Sequence, residues 1–415
     1  MNSRERVQLA LSHKETDRVP IDFGATSVTG ITASVVSKLR DYYGLSNDPP
    51  VKVVEPYQML GEIADDLKEK MGIDCIGLQE EKNMFGFRNT NWKKWRLFDG
   101  TPVLVPALFN TEAEKDGSIL QYSEGDKSVP PSARIPKNGY YFDAIIRQPP
   151  IEDNNLNVED NLEEFKLIRD EELEYIEKEA DYLYKNTDFA IVANFGGTSF
   201  GDVALVPAPS LKYPKGIRDI QEWYISIATR KDYIYEVFSR QCDIAIENLK
   251  RIYQAVLNKI DVIFISGTDF GTQRGPFISN DVYRELYKPF NKRVNDWVHK
   301  NTKWKTFIHT CGSVEPLISE FIDAGFDILN PVQSSAEGMN PALLKEKYGK
   351  SIVFWGGGVD TQKTLPFGTN EDVKKDVIER LKIFGKGGGY VFNTIHNIQE
   401  KTPVENIVSM VEALK

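Results

Sequence analysis

Four histidines occur in the 415 residues, and two of them end predicted strands late in the chain: His309 in FIHTCGS and His396 in VFNTIHNIQ. His309 and Cys311 are separated by one residue, so an extended strand end turns both side chains to the same side. Two imidazoles and a thiolate form a soft donor set suited to zinc, and three protein ligands leave a fourth position open, as catalytic zinc requires. The competing reading is a buried thiol and a histidine bonded to backbone. Asp269, also at a predicted strand end, is the carboxylate best placed for proton transfer or for supporting a ligand histidine. A structural ion pair with Arg274 would account for it equally. His13 and His299 fall at predicted helix ends and read as structural.

These residues need a scaffold that brings strand ends together. Short β-branched or aromatic runs alternate with segments of helical period, the signature of a parallel sheet with crossover helices. Eight runs qualify: residues 19–24, 74–78, 189–194, 261–266, 306–309, 327–330, 352–356 and 390–394. Eight strands close a (β/α)8 TIM barrel, in which chemistry sits at the carboxyl ends of the strands. Polar residues and glycines fall there: Asp22-Phe23-Gly24, Asn194-Phe195-Gly196-Gly197, Gly267-Thr268-Asp269, His309-Thr310-Cys311, Asn330-Pro331-Val332-Gln333, Gly356-Gly357-Gly358 and His396-Asn397. The Gly356–Gly358 run could cradle a phosphate or simply allow close backbone approach.

Residues 80–150 break the alternation. They are rich in aromatics, prolines and turn pairs, with Asp99-Gly100, Asp116-Gly117 and Asn138-Gly139 as hairpin signals. The predicted organisation is therefore 1–79 as the start of the barrel, 80–150 as an inserted antiparallel β-hairpin region, and 151–415 as the remaining barrel. The insertion would roof the active site, or serve as a surface ornament or homodimer contact.

A net charge of −10 argues against nucleic acid and anionic membranes as partners, which leaves small molecules or proteins. Three scattered cysteines and a charged amino terminus predict a cytoplasmic chain with reduced thiols. No apolar run approaches the roughly 20 residues of a membrane span.

From residue 261 onward the chain carries GTDFGTQRGPFIS, HTCGSVEPLI, DILNPVQ, WGGGVDTQ and TPVENI, which resemble the uroporphyrinogen decarboxylase superfamily. The opening RERVQLALSHKETDRVPIDFG resembles the same family's amino terminus. The resemblance implies a (β/α)8 barrel. That superfamily includes metal-free tetrapyrrole decarboxylases and zinc methyltransferases that work with corrinoid proteins. The methyltransferase branch is marked by H-x-C and a later cysteine shortly before T-P-x-E-N; here His396 stands where that cysteine would be. The decarboxylase branch is marked by an arginine-rich loop after the first strand, and residues 22–30 contain no arginine.

The resemblance thus implies a methyltransferase with Zn2+ held by His309, Cys311 and His396, and Asp269 as proton donor or support. Its methyl donor would be a small molecule, with a methoxylated aromatic favoured and O-demethylation the reaction, and its methyl acceptor a corrinoid carried by a partner protein. Asn194, Phe195, Gln333 and Trp355 would bind substrate, with Phe200 and Trp92 as further stacking surfaces. The alternatives are a metal-free lyase acting on a smaller carboxylated substrate, and a corrinoid- or metal-binding accessory protein without turnover.

Overall fold

The computed structural model describes residues 1–195 and 200–415. Seven parallel strands form one curled sheet: β1 (Cys75–Leu78), β2 (Ala190–Ala193), β3 (Val262–Ser266), β4 (Lys305–His309), β5 (Ile328–Asn330), β6 (Val353–Trp355) and β7 (Tyr390–Val391). Their order in the sheet is their order in the chain, as right-handed βα units require. The predicted strand at 19–24 is reduced to a single parallel bridge between Ile21 and Phe392. Even so, that segment hydrogen-bonds to both edges: the Asp22 amide donates to Phe392 O at 2.9 Å and the Asp74 amide to Ile21 O at 2.7 Å. The architecture is an α/β fold consistent with a TIM barrel. A strand start at Pro20 is one reason the ladder stays short, since proline donates no hydrogen bond.

The sheet separates two cores. Inside lie Cys75, Val192, Val262, Phe307, Ile328, Val353, Trp355 and Val391, every second residue of their strands. Helix Ser3–Leu11 plugs the lower end with Val7, Ala10 and Leu11. That helix begins where the sequence allows it, with the Asn2 side chain accepting from the Glu5 amide and Glu5 reciprocating, a capping box. Outside the sheet a larger cluster packs the strands against the crossover helices, among them Lys288–Asn301 and Asn370–Phe384. Full burial of each large apolar side chain stabilises the fold by about 1.5–3 kcal/mol.

Between β1 and β2 in the chain lie two antiparallel sheets. Lys93–Arg96 pairs with Pro102–Val105, and Ile119–Gln121, Ala133–Ile135 and Asp143–Ala144 form three strands. This region grips the segment that follows β2: Arg147 donates to Ala208 O at 2.8 Å and Leu211 O at 2.6 Å, and the Ser123 hydroxyl donates to Leu211 O at 2.7 Å. No helix of the described residues is long and apolar enough to cross a membrane.

Candidate metal centre

Phe307, His309 and Cys311 continue one alternation, so the two potential ligands rise directly above the inner core at the carboxyl end of β4. The His309 Nε2 and Cys311 Sγ atoms lie 3.4 Å apart. His396, beyond β7, meets them across the sheet, its ring centroid 5.8 Å from that of His309. The ligand atoms of all three residues fall within 4.8 Å of one another. Zn–N bonds near 2.05 Å and a Zn–S bond near 2.3 Å put tetrahedral N···S pairs at about 3.5 Å, so the His309–Cys311 pair is at ligand spacing and His396 needs only a small shift.

Close backbone approach fixes Cys311. A Cβ on Gly312, whose φ is +86°, would lie 2.4 Å from the Gly271 carbonyl, and the Ser313 amide donates to Thr272 O at 2.7 Å. The loops after β3 and β4 therefore cross in contact, which only glycine permits. That crossing brings Asp269 beneath the metal donors: its Oδ1 accepts from the Cys311 amide at 2.6 Å and lies 3.8 Å from His309 Nε2. His396 is anchored through its neighbour. Asn397 accepts from the Gly30 amide at 2.5 Å and donates to Ser27 O and Gln58 Oε1, each at 2.8 Å.

Burial dominates the electrostatics. It pushes the Cys311 thiol well up, with the Asp269 and Asp202 carboxylates adding to the effect. Burial, then the nearby His309, lowers His396 to about 4, so its imidazole is neutral at physiological pH. A neutral imidazole can take up a divalent cation directly, and a protonated thiol can do so by losing its proton.

The other sequence candidates divide. The Gln333 side chain accepts from the Gly312 amide at 2.7 Å and the Asn194 amide donates to Ala25 O at 2.7 Å, so both brace loops around the mouth. Phe195 is 3% exposed and Trp355 fully buried. Trp355 packs edge-on to Phe307 and donates from Nε1 to Asp22 Oδ2 at 2.9 Å, which makes it floor rather than a stacking face. Phe200 is equally buried, packed on Phe238 and Phe290, and Trp92 stands under Lys52 in the antiparallel region. The aromatic surface beside Asp269 belongs instead to Tyr224, whose hydroxyl donates to Asp269 O at 3.4 Å, stacked on half-exposed Phe277. Gly196 and Gly197 lie outside the described residues. The Gly356–Gly358 turn fits close packing: a Cβ on Gly357 would meet Val332 O at 2.6 Å, and one on Gly358 the Phe392 ring at 2.2 Å.

Two residues have roles that the sequence reading did not assign. Asp202 packs against the end of β3, where a Cβ on Gly267 would lie 2.6 Å from its carboxylate, and burial together with Asp269 raises it to about 7. Asn330 ends β5 and contacts His309, its Oδ1 lying 2.6 Å from Nδ1. Asn330 stood in the predicted strand-end set, but only the neighbouring strand reveals its partner.

The uroporphyrinogen decarboxylase (URO-D) family model matches residues 216–415, the stretch carrying all three metal donors and Asp269. That stretch, just under half of the chain, is similar to the URO-D family. Uroporphyrinogen decarboxylases from strains of Coxiella burnetii are 40% identical to the chain over 45 residues, which is 11% of this chain and 12% of those proteins. A methyltransferase from Methanosarcina mazei shares the fold over 100% of this chain and 98% of its own, with a TM-score of 0.55 and 17% identity. The matched stretch thus contains β3 to β7, while Asp22 and Asn194 come from the preceding part of the chain.

Proposed function

We propose that the protein is a zinc-dependent methyltransferase that moves a methyl group from a small methylated substrate to a corrinoid carried by a partner protein. The convergence of His309, Cys311 and His396 at one end of the sheet carries this reading. The fold shared with the methyltransferase from Methanosarcina mazei supports it, as does the absence of arginine from residues 22–30, where a polycarboxylate would need cations.

Bound zinc would supply Lewis acidity to the heteroatom that bears the methyl group, making it a better leaving group. The chain's own residues do the rest. Cys311 and the two imidazoles would hold the ion. Asp269, pinned by the Cys311 amide, sits where it can deliver or hold a proton at the departing heteroatom. Tyr224 and Phe277 offer the apolar face for an aromatic methoxy donor, replacing the buried Trp355 and Phe195 in that role. The antiparallel sheets of residues 80–150, which hold the 205–212 segment through Arg147 and Ser123, would serve as the roof of the site.

The test combines the purified protein with a reduced corrinoid protein and a panel of methoxylated aromatics, following loss of the Co(I) absorbance. Zinc-dependent methylation supports the proposal. Metal-independent release of CO2 from a carboxylated substrate, with no methylation, would replace it with the lyase reading.

A further inference from the structure

Asn330 belongs to no ligand set, yet its side chain is completely buried between His309 and β6. β4 and β5 pair His309 with Asn330 in parallel register, and the Thr310 amide donates to Asn330 O at 2.7 Å, so the two side chains stand next to each other on the inner face. The Asn330 amide is bonded at both ends. Its Nδ2 donates to Trp355 O at 2.7 Å, and its Oδ1 lies 2.6 Å from His309 Nδ1. Trp355 O is a carbonyl and can only accept, so the NH2 must face it and the oxygen must face the imidazole. The imidazole nitrogen opposite that oxygen must then carry the proton. Gly356 leaves the room this needs, since a Cβ there would lie 3.3 Å from Asn330 Nδ2.

We infer that Asn330 is a positioning residue that fixes His309 as the Nδ1–H tautomer and aims its Nε2 lone pair at Cys311 and the metal position. An amide does this without adding a negative charge, which a carboxylate in the same place would bring. The protein therefore orients its buried ligand while leaving the bound cation more electron-poor. The consequence for metal rests on the zinc reading above; the tautomer does not.

The test uses the whole chain labelled with 15N-histidine, in which only four imidazoles contribute signals. In metal-free protein, the neutral form of His309 is expected to show a protonated Nδ1 and an unprotonated Nε2. Asn330→Leu is expected to lose that signature and to weaken zinc binding by about 10–100-fold in competition with a chelator. Asn330→Asp is expected to keep the tautomer and bind zinc at least as tightly. A wild-type His309 protonated at Nε2 would overturn the inference even if Asn330→Leu fails to fold. So would a folded Asn330→Leu that retains both tautomer and zinc affinity. A fixed Nδ1–H tautomer in a wild type that binds no zinc supports the positioning role and removes only the zinc reading.

Discussion

The two ends of the parallel sheet are built on opposite electrostatic plans. At the amino ends of the strands, Asp74, Asp261 and Asp327 each accept a backbone amide from the start of a neighbouring strand, to Ile21, Ile191 and Thr306, all at 2.9 Å. Polar partners then close round them: Arg6 and Arg18 on Asp74 at 2.6 Å, Gln8 on Asp261 at 2.7 Å, and His299 and Lys305 on Asp327 at 2.7 and 3.0 Å. At the carboxyl ends the buried or half-buried polar groups include amides, hydroxyls, two imidazoles and a thiol, and among the described residues no Lys or Arg pairs with Asp22, Asp202 or Asp269. Burial favours a raised Asp327, yet His299 and Lys305 pull it below its ordinary value. At the other end burial prevails and lifts Asp22 to about 6. The amino end holds two of its three aspartates in charge pairs, and the carboxyl end gathers the three potential metal ligands, a separation of stability from chemistry that such folds use.

Removing charge at the lower end should cost stability and spare the site. Asp74→Ala removes one of the two carboxylates on the buried Arg6 guanidinium, leaving Asp17, and strips the Ile21 amide of its acceptor, so it is expected to destabilise the fold by about 1–3 kcal/mol. A denaturation curve reads this, and the folded fraction should bind zinc with wild-type affinity. The converse holds above. Asp269→Asn is expected to lower methyl transfer by at least about 100-fold while the denaturation midpoint moves little and zinc stays bound. Equal losses of stability from both variants would erase the distinction between the two ends.

Gly312→Ala tests how the site is positioned. Its Cβ would collide with Gly271 at a left-handed φ, so a cost of about 1–3 kcal/mol is expected together with weakened zinc binding as Cys311 is displaced. The smallest effect is a slope. Asp22 binds its proton more tightly folded than unfolded, so its contribution to stability is full below its ordinary value of 3.8 and lost as pH rises through about 6. Asp22→Asn should flatten stability over that interval. Asp327 has the opposite sign, losing stability as pH falls through its lowered value, and this limb should survive the Asp22 change.

Much of this was legible in the chain. Seven of the eight predicted strands form with ends shifted by only a few residues, because β-branched runs bounded by glycine and polar turns leave little choice of period. The strand at 19–24 shrank because its pairing is carried by Asp74 and Phe392, which no local pattern reveals. His309, Cys311 and His396 were readable from their rarity and strand-end positions. Trp355 and Phe200 misled, because an aromatic near a strand end can equally point down into the core, and only the neighbouring Phe307, Phe238 and Asp22 decide that it does. The roles of Asn330 and Asp202 were hidden for the complementary reason: what they meet, His309 and Trp355 for one and the Gly267 turn for the other, is distant in the chain.

The most direct measurement is the zinc content of the purified protein and of His396→Ala by elemental analysis. About one zinc per chain, lost or much weakened in the variant while the fold persists, is the predicted result. No zinc in the wild type, or zinc retained at full affinity without His396, would contradict the account.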